Sequence, residues 1–508
     1  MQQFIFKIGG QEYRREQSSS IREWAKREVI LQKLDTPLGY FLMVGFAMIL
    51  AWMVATSTVE QSIWLLANVV LLPCLLGGML NLRFGLMMLV LFSFSLHGVR
   101  RLSNAVPLEN YFGLFVIVLL FGILVKQTRQ RNWSAYANPV TVAILIWVGY
   151  QLVQVLNPHL PHLKGWAVSI RSTIGYVSIA LVVMYAWKNI SDFKRIIYAW
   201  MGLATLAGLY GIVQYFLGLQ DFELAWLQAD RSRMGHYFSW DGLRAFSFLS
   251  DPSVLGLTMA ASSLMGIGLL FGPGSGKRTK IILTISVLIQ LIAMIFSHTN
   301  TAFVAFPAGF FFYALIRMKK PILLSASSLL VVGVVLLLLP AEDGVLRHIQ
   351  KAFEPSLSAS YQSQVQNQIF AQSYLTERPM GVGPGMTGTI GNRFSPYQIW
   401  SQFPQSSGFV QLALEQGWIG LLLFVGMILT TLIMGVRRYF HIIHEGRQNW
   451  LAIMLSVMLL LALGNYSQQV IMVMPTNVLF FILMGTIAGP LFRPGLKEGQ
   501  PIKPTEAD

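Results

Sequence analysis

Pro321-Ile322-Leu323-Leu324-Ser325-Ala326-Ser327-Ser328-Leu329-Leu330-Val331-Val332-Gly333-Val334-Val335-Leu336-Leu337-Leu338-Leu339-Pro340 runs twenty residues without a charge. At 1.5 Å per residue a helix of that length covers ~30 Å, the thickness of a bilayer's hydrocarbon core. Arg317, Lys319 and Lys320 stand directly before it. An apolar run of bilayer length with cations at one end reads as a membrane span whose basic side faces the cytoplasm. The rest of the chain repeats this pattern. Only 12% of its 508 residues are charged and 54% are apolar or aromatic, with a mean hydropathy of +0.57. A soluble domain carries roughly 25% charged residues, so a soluble enzyme, a disordered chain and a disulfide scaffold are all excluded. Cys74 is the single cysteine and reads as a small buried hydrophobe.

Fourteen such segments are predicted, near 38–56, 61–80, 84–98, 109–125, 138–156, 166–187, 196–217, 252–271, 280–297, 301–316, 321–340, 419–436, 449–467 and 475–492. A polar helix from about Gln405 to Gln416 leads into the twelfth. The expected fold is an all-α polytopic integral membrane protein. It has a basic tail (1–37), a membrane domain (38–492) and a second tail (493–508). With the N-terminus inside, 26 of the 37 Lys and Arg fall on inner segments, ten fall on outer loops and Arg171 lies within a span. That bias predicts both termini on the cytoplasmic side of the membrane. The net charge of +15 is then topological and calls for no nucleic acid. Residues 18–34 have the composition of a basic amphipathic helix on the inner surface or of a solvated tail.

Every inner loop is short, and the two long loops, about 218–251 and 341–404, are both outer. Function is expected there, because binding and catalytic residues favour loops on a rigid scaffold. No phosphate-binding loop occurs, and Gly272-Pro273-Gly274-Ser275-Gly276-Lys277 reads as a turn. His441 and His444 lack carboxylate partners beyond Glu445, so neither a metal nor another cofactor is expected. No Asp or Glu falls mid-span, which disfavours an ion-coupled carrier. Tyr361, Val365, Ile369 and Phe370 at helical spacing predict a helix from Tyr361 to Leu375 lying along the outer surface. The stretch Gly381-Val382-Gly383-Pro384-Gly385 after it is too glycine-rich for regular structure. It reads as a linker or as a close backbone approach to a ligand.

Two cations suit an anionic substrate. Arg171 is about five residues below the outer end of its span. It reads either as snorkelling to the headgroups or as a planar fork for phosphate oxygens. Arg244 precedes Asp251-Pro252, an N-cap and early proline opening the next span. Arg244 beside a helix N-terminus would favour an anion, although Asp241 or Asp251 could instead pair with it. Arg100 and Arg101, on an outer loop elsewhere, are expected to be replaceable by Ala almost silently.

Arg244-Ala245-Phe246-Ser247-Phe248-Leu249-Ser250-Asp251-Pro252-Ser253-Val254-Leu255-Gly256 resembles an entry motif of the O-antigen polymerase and ligase superfamily of bacterial envelope glycosyltransferases. Three further stretches fit in the same order: Ser297-His298-Thr299-Asn300-Thr301-Ala302, Arg378-Pro379-Met380-Gly381-Val382-Gly383-Pro384-Gly385, and Glu415-Gln416-Gly417-Trp418-Ile419-Gly420. The resemblance covers roughly residues 165–436. In two places the chain departs from the pattern. Asn300 stands where the family carries Arg, and Ser406 and Ser407 stand where it carries His-Asn.

The resemblance implies transfer of a glycan from undecaprenyl pyrophosphate to a carrier-linked repeat unit at the outer face of a bacterial inner membrane, with inversion at the anomeric carbon. The partners it implies are that lipid-linked oligosaccharide, the bilayer and, for a polymerase, a chain-length regulator. Arg171, Arg244 and Arg378 are the expected catalytic cations. Asn300, Gly383, Gly385, Ser406 and Ser407 are the expected substrate-binding residues. His348, Glu377 and Asp241 are candidate bases, and His236 reads as interfacial. The missing His favours a polymerase over a ligase. A lipid-linked glycan flippase or exporter without bond chemistry, and a non-catalytic assembly partner, stand as alternatives.

Overall fold

The computed structural model describes residues 5–8, 11–14, 37–102, 108–131, 133–187, 189–239, 242–274, 276–340, 344–353, 359–402 and 407–493. The expected amphipathic helix at 18–34 lies outside them. A short hairpin of β1 (Ile5–Ile8) and β2 (Gln11–Arg14) precedes the bundle.

Each of the fourteen apolar segments is a helix. The first seven are α1 (Pro37–Thr56), α2 (Val59–Leu80), α3 (Leu82–Leu102), α4 (Leu108–Gln130), α5 (Pro139–Val153), α6 (Leu163–Ala186) and α7 (Ile190–Leu217). The first long connection follows, with α8 (Asp221–Gln228), α9 (Arg231–Tyr237) and a hairpin of β3 (Phe238–Ser239) and β4 (Gly242–Leu243). Next come α10 (Pro252–Leu270), α11 (Lys277–Phe296), α12 (Asn300–Arg317) and α13 (Lys320–Leu338). The second long connection holds α14 (Gly344–Phe353), α15 (Ala359–Glu377) and α16 (Gly388–Phe394). The chain then closes with α17 (Gly408–His441), α18 (Glu445–Ser467) and α19 (Thr476–Ala488).

Among the described residues, eleven helices are long and apolar enough to cross a membrane by themselves. The protein is thus an all-α, multi-pass membrane protein. The last expected span, 475–492, is a helix of only 13 residues, all buried. At 1.5 Å per residue it covers ~20 Å, short of a ~30 Å core.

Enclosed helices form the centre. α10 and α18 are buried over most of their length, and α19 packs on α6, α18, α17, α3 and α10. Side-chain hydrogen bonds join these apolar surfaces where the bilayer offers no water. The Trp187 indole donates to Thr486 Oγ1 (2.8 Å) and the Trp200 indole to Ser262 Oγ (3.0 Å). Tyr313 donates to Asn449 Oδ1 (2.6 Å), and Asn449 Nδ2 donates to the Gly268 carbonyl (2.9 Å).

The two ends differ in chemistry. At the short-turn end, cations satisfy carboxylates and the orphan carbonyls of helix termini. Arg83 pairs with Asp192 (2.9 Å), and Arg317 and Lys319 pair with Glu445. Arg438 donates to the carbonyls of Ile487 and Gly489 (both 2.6 Å), Arg447 to Leu491 (2.7 Å) and Arg493 to Ser134 (2.5 Å). Both long connections lie at the opposite end.

Candidate functional site

At the loop end a break in α17 organises one half of the site. Gly417 (φ +70°, ψ −173°) interrupts the helix, so the carbonyls just before it lose their helical donors and need others. Residues 379–383 supply them. Val382 N–H donates to Leu414 O (2.9 Å) and Gly383 N–H to Glu415 O (2.8 Å), while Trp418 N–H donates back to Pro379 O (3.1 Å). The Gln416 carbonyl accepts from the Tyr150 hydroxyl (2.8 Å). Gln154 and Asn157 hold the Met380 and Gly381 carbonyls (both 3.1 Å).

The glycines follow from this contact. A Cβ on Gly417 would lie 2.0 Å from Pro379 O, one on Gly381 2.5 Å from Leu414 O, and one on Gly385 2.4 Å from Gly165 O. Gly383 (φ +100°) and Gly385 (φ +76°) are in left-handed backbone conformations, which only glycine adopts freely. The sequence allowed a linker or a close approach to a ligand; the close backbone approach seen is to the chain's own α17 and to the start of α6.

Glu415 sits inside this junction, 7% exposed. Its carboxylate accepts from Gly385 N–H (3.0 Å), Thr387 Oγ1 (2.5 Å) and Gln411 Nε2 (3.2 Å). Gln469 donates to Gln411, Thr301 is bonded to Ser467, and Asn465 Oδ1 accepts from Val470 and Ile471 N–H (3.1 and 3.2 Å). This polar seam runs from the second long connection to the start of α12. The seam residues outside the quoted motifs escaped the sequence reading. Glu415 itself was visible as an acid closing a polar helix, but its partners come from residues distant in sequence.

The other half surrounds Arg244. The β3–β4 hairpin delivers it: Arg244 N–H donates to Tyr237 O (2.9 Å). Its guanidinium donates to the carbonyls of Ser297 (3.4 Å) and His298 (3.3 Å), in the turn joining α11 to α12. Burial pushes this guanidinium below its ordinary pKa, and Asp251 opposes that shift. Asp251 caps α10 as its sequence suggested, accepting from Ser253 and Val254 N–H (2.9 and 3.0 Å). His298 is buried in a left-handed conformation (φ +49°) with its ring edge-on to Tyr215. Asn300 begins α12, and its Oδ1 is buried without a hydrogen-bond partner among the described residues.

Arg101 overturns its expectation. It is 8% exposed and lies between the rings of Trp226 (4.9 Å) and Phe246 (4.5 Å). It donates to the carbonyls of Ser247 (2.5 Å), Leu249 and Ser250 (3.5 Å). Buried Gln214 holds the same loop through Ser247 N–H (2.6 Å) and bonds Glu223 (2.6 Å). Together they fix the strand of chain that carries Arg244.

Arg378 follows α15, which extends the expected 361–375 helix slightly at both ends. It donates to the Tyr374 hydroxyl (2.7 Å) and stacks on Tyr374 (5.0 Å) and Trp400 (5.8 Å). Glu377 beside it is exposed. Arg171 lies elsewhere, exposed on α6 in a cleft facing α4. Ser407 caps α17 by accepting from Val410 N–H (3.3 Å). Ser406 and Asp241 lie outside the described residues, as do the side chains of His348 and His236. No cluster of three or more metal-ligating side chains occurs among the described residues.

The structure is thus a multi-pass helical membrane bundle with an ordered glycine loop and the Arg244, Arg101 and Arg378 contacts at its loop end. Residues 285–425 match the family model described as O-Antigen ligase, in keeping with the O-antigen polymerase and ligase superfamily. The match supports a membrane enzyme of the O-antigen ligase or polymerase type. No curated protein matches the chain. The matched residues contain the Ser297–Asn300 turn, Arg378, the glycine loop and the α17 break. Arg244 and Arg171 fall outside them, although Arg244 bonds directly to the turn at their edge.

Proposed function

We propose that the protein is an inverting polysaccharide polymerase working on undecaprenyl-pyrophosphate-linked glycans at the outer face of the inner membrane. The observation that carries the reading is Arg244, a half-buried guanidinium fixed on the Ser297 and His298 carbonyls at the edge of the matched domain. A planar cation held in place at a partly dry site suits charge developing on a leaving pyrophosphate. An acceptor hydroxyl oxygen bonds to the anomeric carbon as the carbon–oxygen bond to pyrophosphate breaks. The leaving group takes the electron pair, and the hydroxyl proton passes to water or to Glu377. Arg378 is the second cation in this reading, and Gly383 and Gly385 act by shaping the loop behind it. Asn300, with its buried carbonyl oxygen, orients the acceptor together with Ser406 and Ser407. Polymerase is preferred over ligase because serines occupy the family's His-Asn positions.

The test is glycan chain length on gels from cells carrying each variant at matched expression. Arg244→Ala should lower transfer by about 10²–10³, the loss typical of one preorganised donor. Arg244→Lys should also be poor, because it keeps charge but loses the fork. Full-length polymer from Arg244→Ala would overturn the role, and product joined to a lipid A core would turn the reading to ligase.

A further inference from the structure

α4 and α6 pack together, yet they leave an apolar cleft of about 370 Å³ open between them. α4 contributes Gly113, Val116, Ile117 and Leu120, and α6 contributes a stripe from Trp166 to Ser178. Both stripes follow helical spacing, so they form one furrow along two neighbouring helices. Trp166 to Ser178 spans roughly 18 Å at helical rise, and about 370 Å³ spread over that length is a cross-section of roughly 20 Å², about that of one hydrocarbon chain. Among the described residues, Arg171 is the only charged one in its lining. It stands eight residues into α6, and side chains on a helix lean toward its N-terminus, which here is the loop end.

The glycines are informative. A Cβ added to Gly113 or Gly175 meets nothing within 4 Å, even though Gly175 is buried. Gly485, by contrast, lets two helices touch, since a Cβ there would lie 2.4 Å from Ala180 O. At the α4–α6 cleft the two glycines permit no contact and instead keep space open.

We infer that this cleft binds a second single-chain anionic isoprenoid lipid, the carrier of the acceptor, with its phosphate at Arg171 and its chain along α4 and α6. This deepens the polymerase reading and rests on it for the word acceptor. One cation above a single apolar furrow complements a one-chain phosphate lipid, whereas a diacyl phospholipid would need width for two chains. The cleft is also built wholly outside residues 285–425. A polymerase needs two carrier-linked substrates, and a cleft of its own for the second lets both be bound at once.

The probe is a diazirine-tagged polyprenyl monophosphate photocrosslinked to the purified full-length protein. Labelling should map to peptides containing 113–120 or 166–178. Gly113→Leu and Gly175→Leu fill open space, so the protein should elute and melt as wild type while labelling falls about tenfold, the effect of displacing a few methylene groups. Arg171→Ala should weaken labelling by the phosphate but not by the matching uncharged polyprenol. In transfer assays Gly175→Leu should raise the KM for the carrier-linked acceptor about tenfold and leave the donor KM unchanged. Undiminished labelling in both leucine variants, displacement by excess phosphatidylglycerol, or a shift in donor KM instead would overturn the inference. Labelling requires no transfer. If Arg244→Ala retains full polymer the polymerase reading fails while labelling persists, and if labelling is insensitive to the cleft variants the lipid site fails while the Arg244 result stands.

Discussion

Replacing Arg101 with Ala removes the side chain that holds the Arg244 loop from the bundle side. Its guanidinium is buried between Trp226 and Phe246 and donates to three carbonyls, two of them closely. Hydrogen bonds from a charged donor contribute about 1.5–3 kcal/mol each, and a desolvated cation–π contact adds ~0.5–2 kcal/mol. Part of this is returned because the buried charge also disappears, which leaves about 3–5 kcal/mol. The contacts are confined to one end of α3 and to the 218–251 connection, so the loss falls on local opening of that connection. At about 1.4 kcal/mol per factor of ten, the open population should rise between about a hundredfold and a few thousandfold. Limited proteolysis reads this directly when opening is fast relative to cleavage. Arg101→Ala should therefore be cut within 218–251 some hundredfold faster than wild type, and its polymer should shorten although Arg101 faces no substrate in our reading. Arg100→Ala, at an exposed neighbouring position, should be cut at the wild-type rate. Equal cleavage of Arg101→Ala and wild type would refute the argument that these carbonyls anchor the loop.

Three further outcomes follow from other parts of the molecule. In a Cys74→Ser background, Tyr397→Cys (96% exposed) and Ile443→Cys (93% exposed) should label from opposite sides of the membrane, 397 from outside and 443 from inside; same-side labelling would break the proposed topology. Gly385→Ala should destabilise the loop by more than 1 kcal/mol, since left-handed strain adds to a Cβ 2.4 Å from Gly165 O, whereas Gly113→Ala should leave the melting temperature unchanged. Polymerisation of purified lipid-linked repeats should proceed in EDTA without added nucleotide, and loss of activity restored by a divalent ion would count against the mechanism.

The spans were legible because a bilayer imposes a length on apolar runs, and no tertiary contact is needed to see Pro321–Pro340 as one of them. The polar lead-in to α17 and the helix after Tyr361 were legible for the same local reason. The role of the glycine run was not. Gly381, Gly383 and Gly385 signal unusual backbone, but only the fold reveals that what approaches them is the Gly417 break. Arg101 was misjudged because its partners, the carbonyls of 247–250, are some 146–149 residues away. Backbone carbonyls leave no mark in side-chain identity. Arg171 stood out as a charge within an apolar span, yet the cleft beside it depends on which helix lies opposite.

The enclosure of α19 has a consequence for how the bundle is made. This helix leaves the ribosome after every helix that surrounds it. Until then α3, α6, α10, α17 and α18 lack the helix that all five pack against. What completes those contacts is a 13-residue helix, ~20 Å long and too short to cross a ~30 Å core alone. Its apolar surface is satisfied equally by lipid or protein, so the gain comes from close packing, such as Gly485 against the Ala180 backbone, and from the Trp187–Thr486 hydrogen bond. Because this helix follows its five neighbours in the chain, their shared packing is complete only once it has been made.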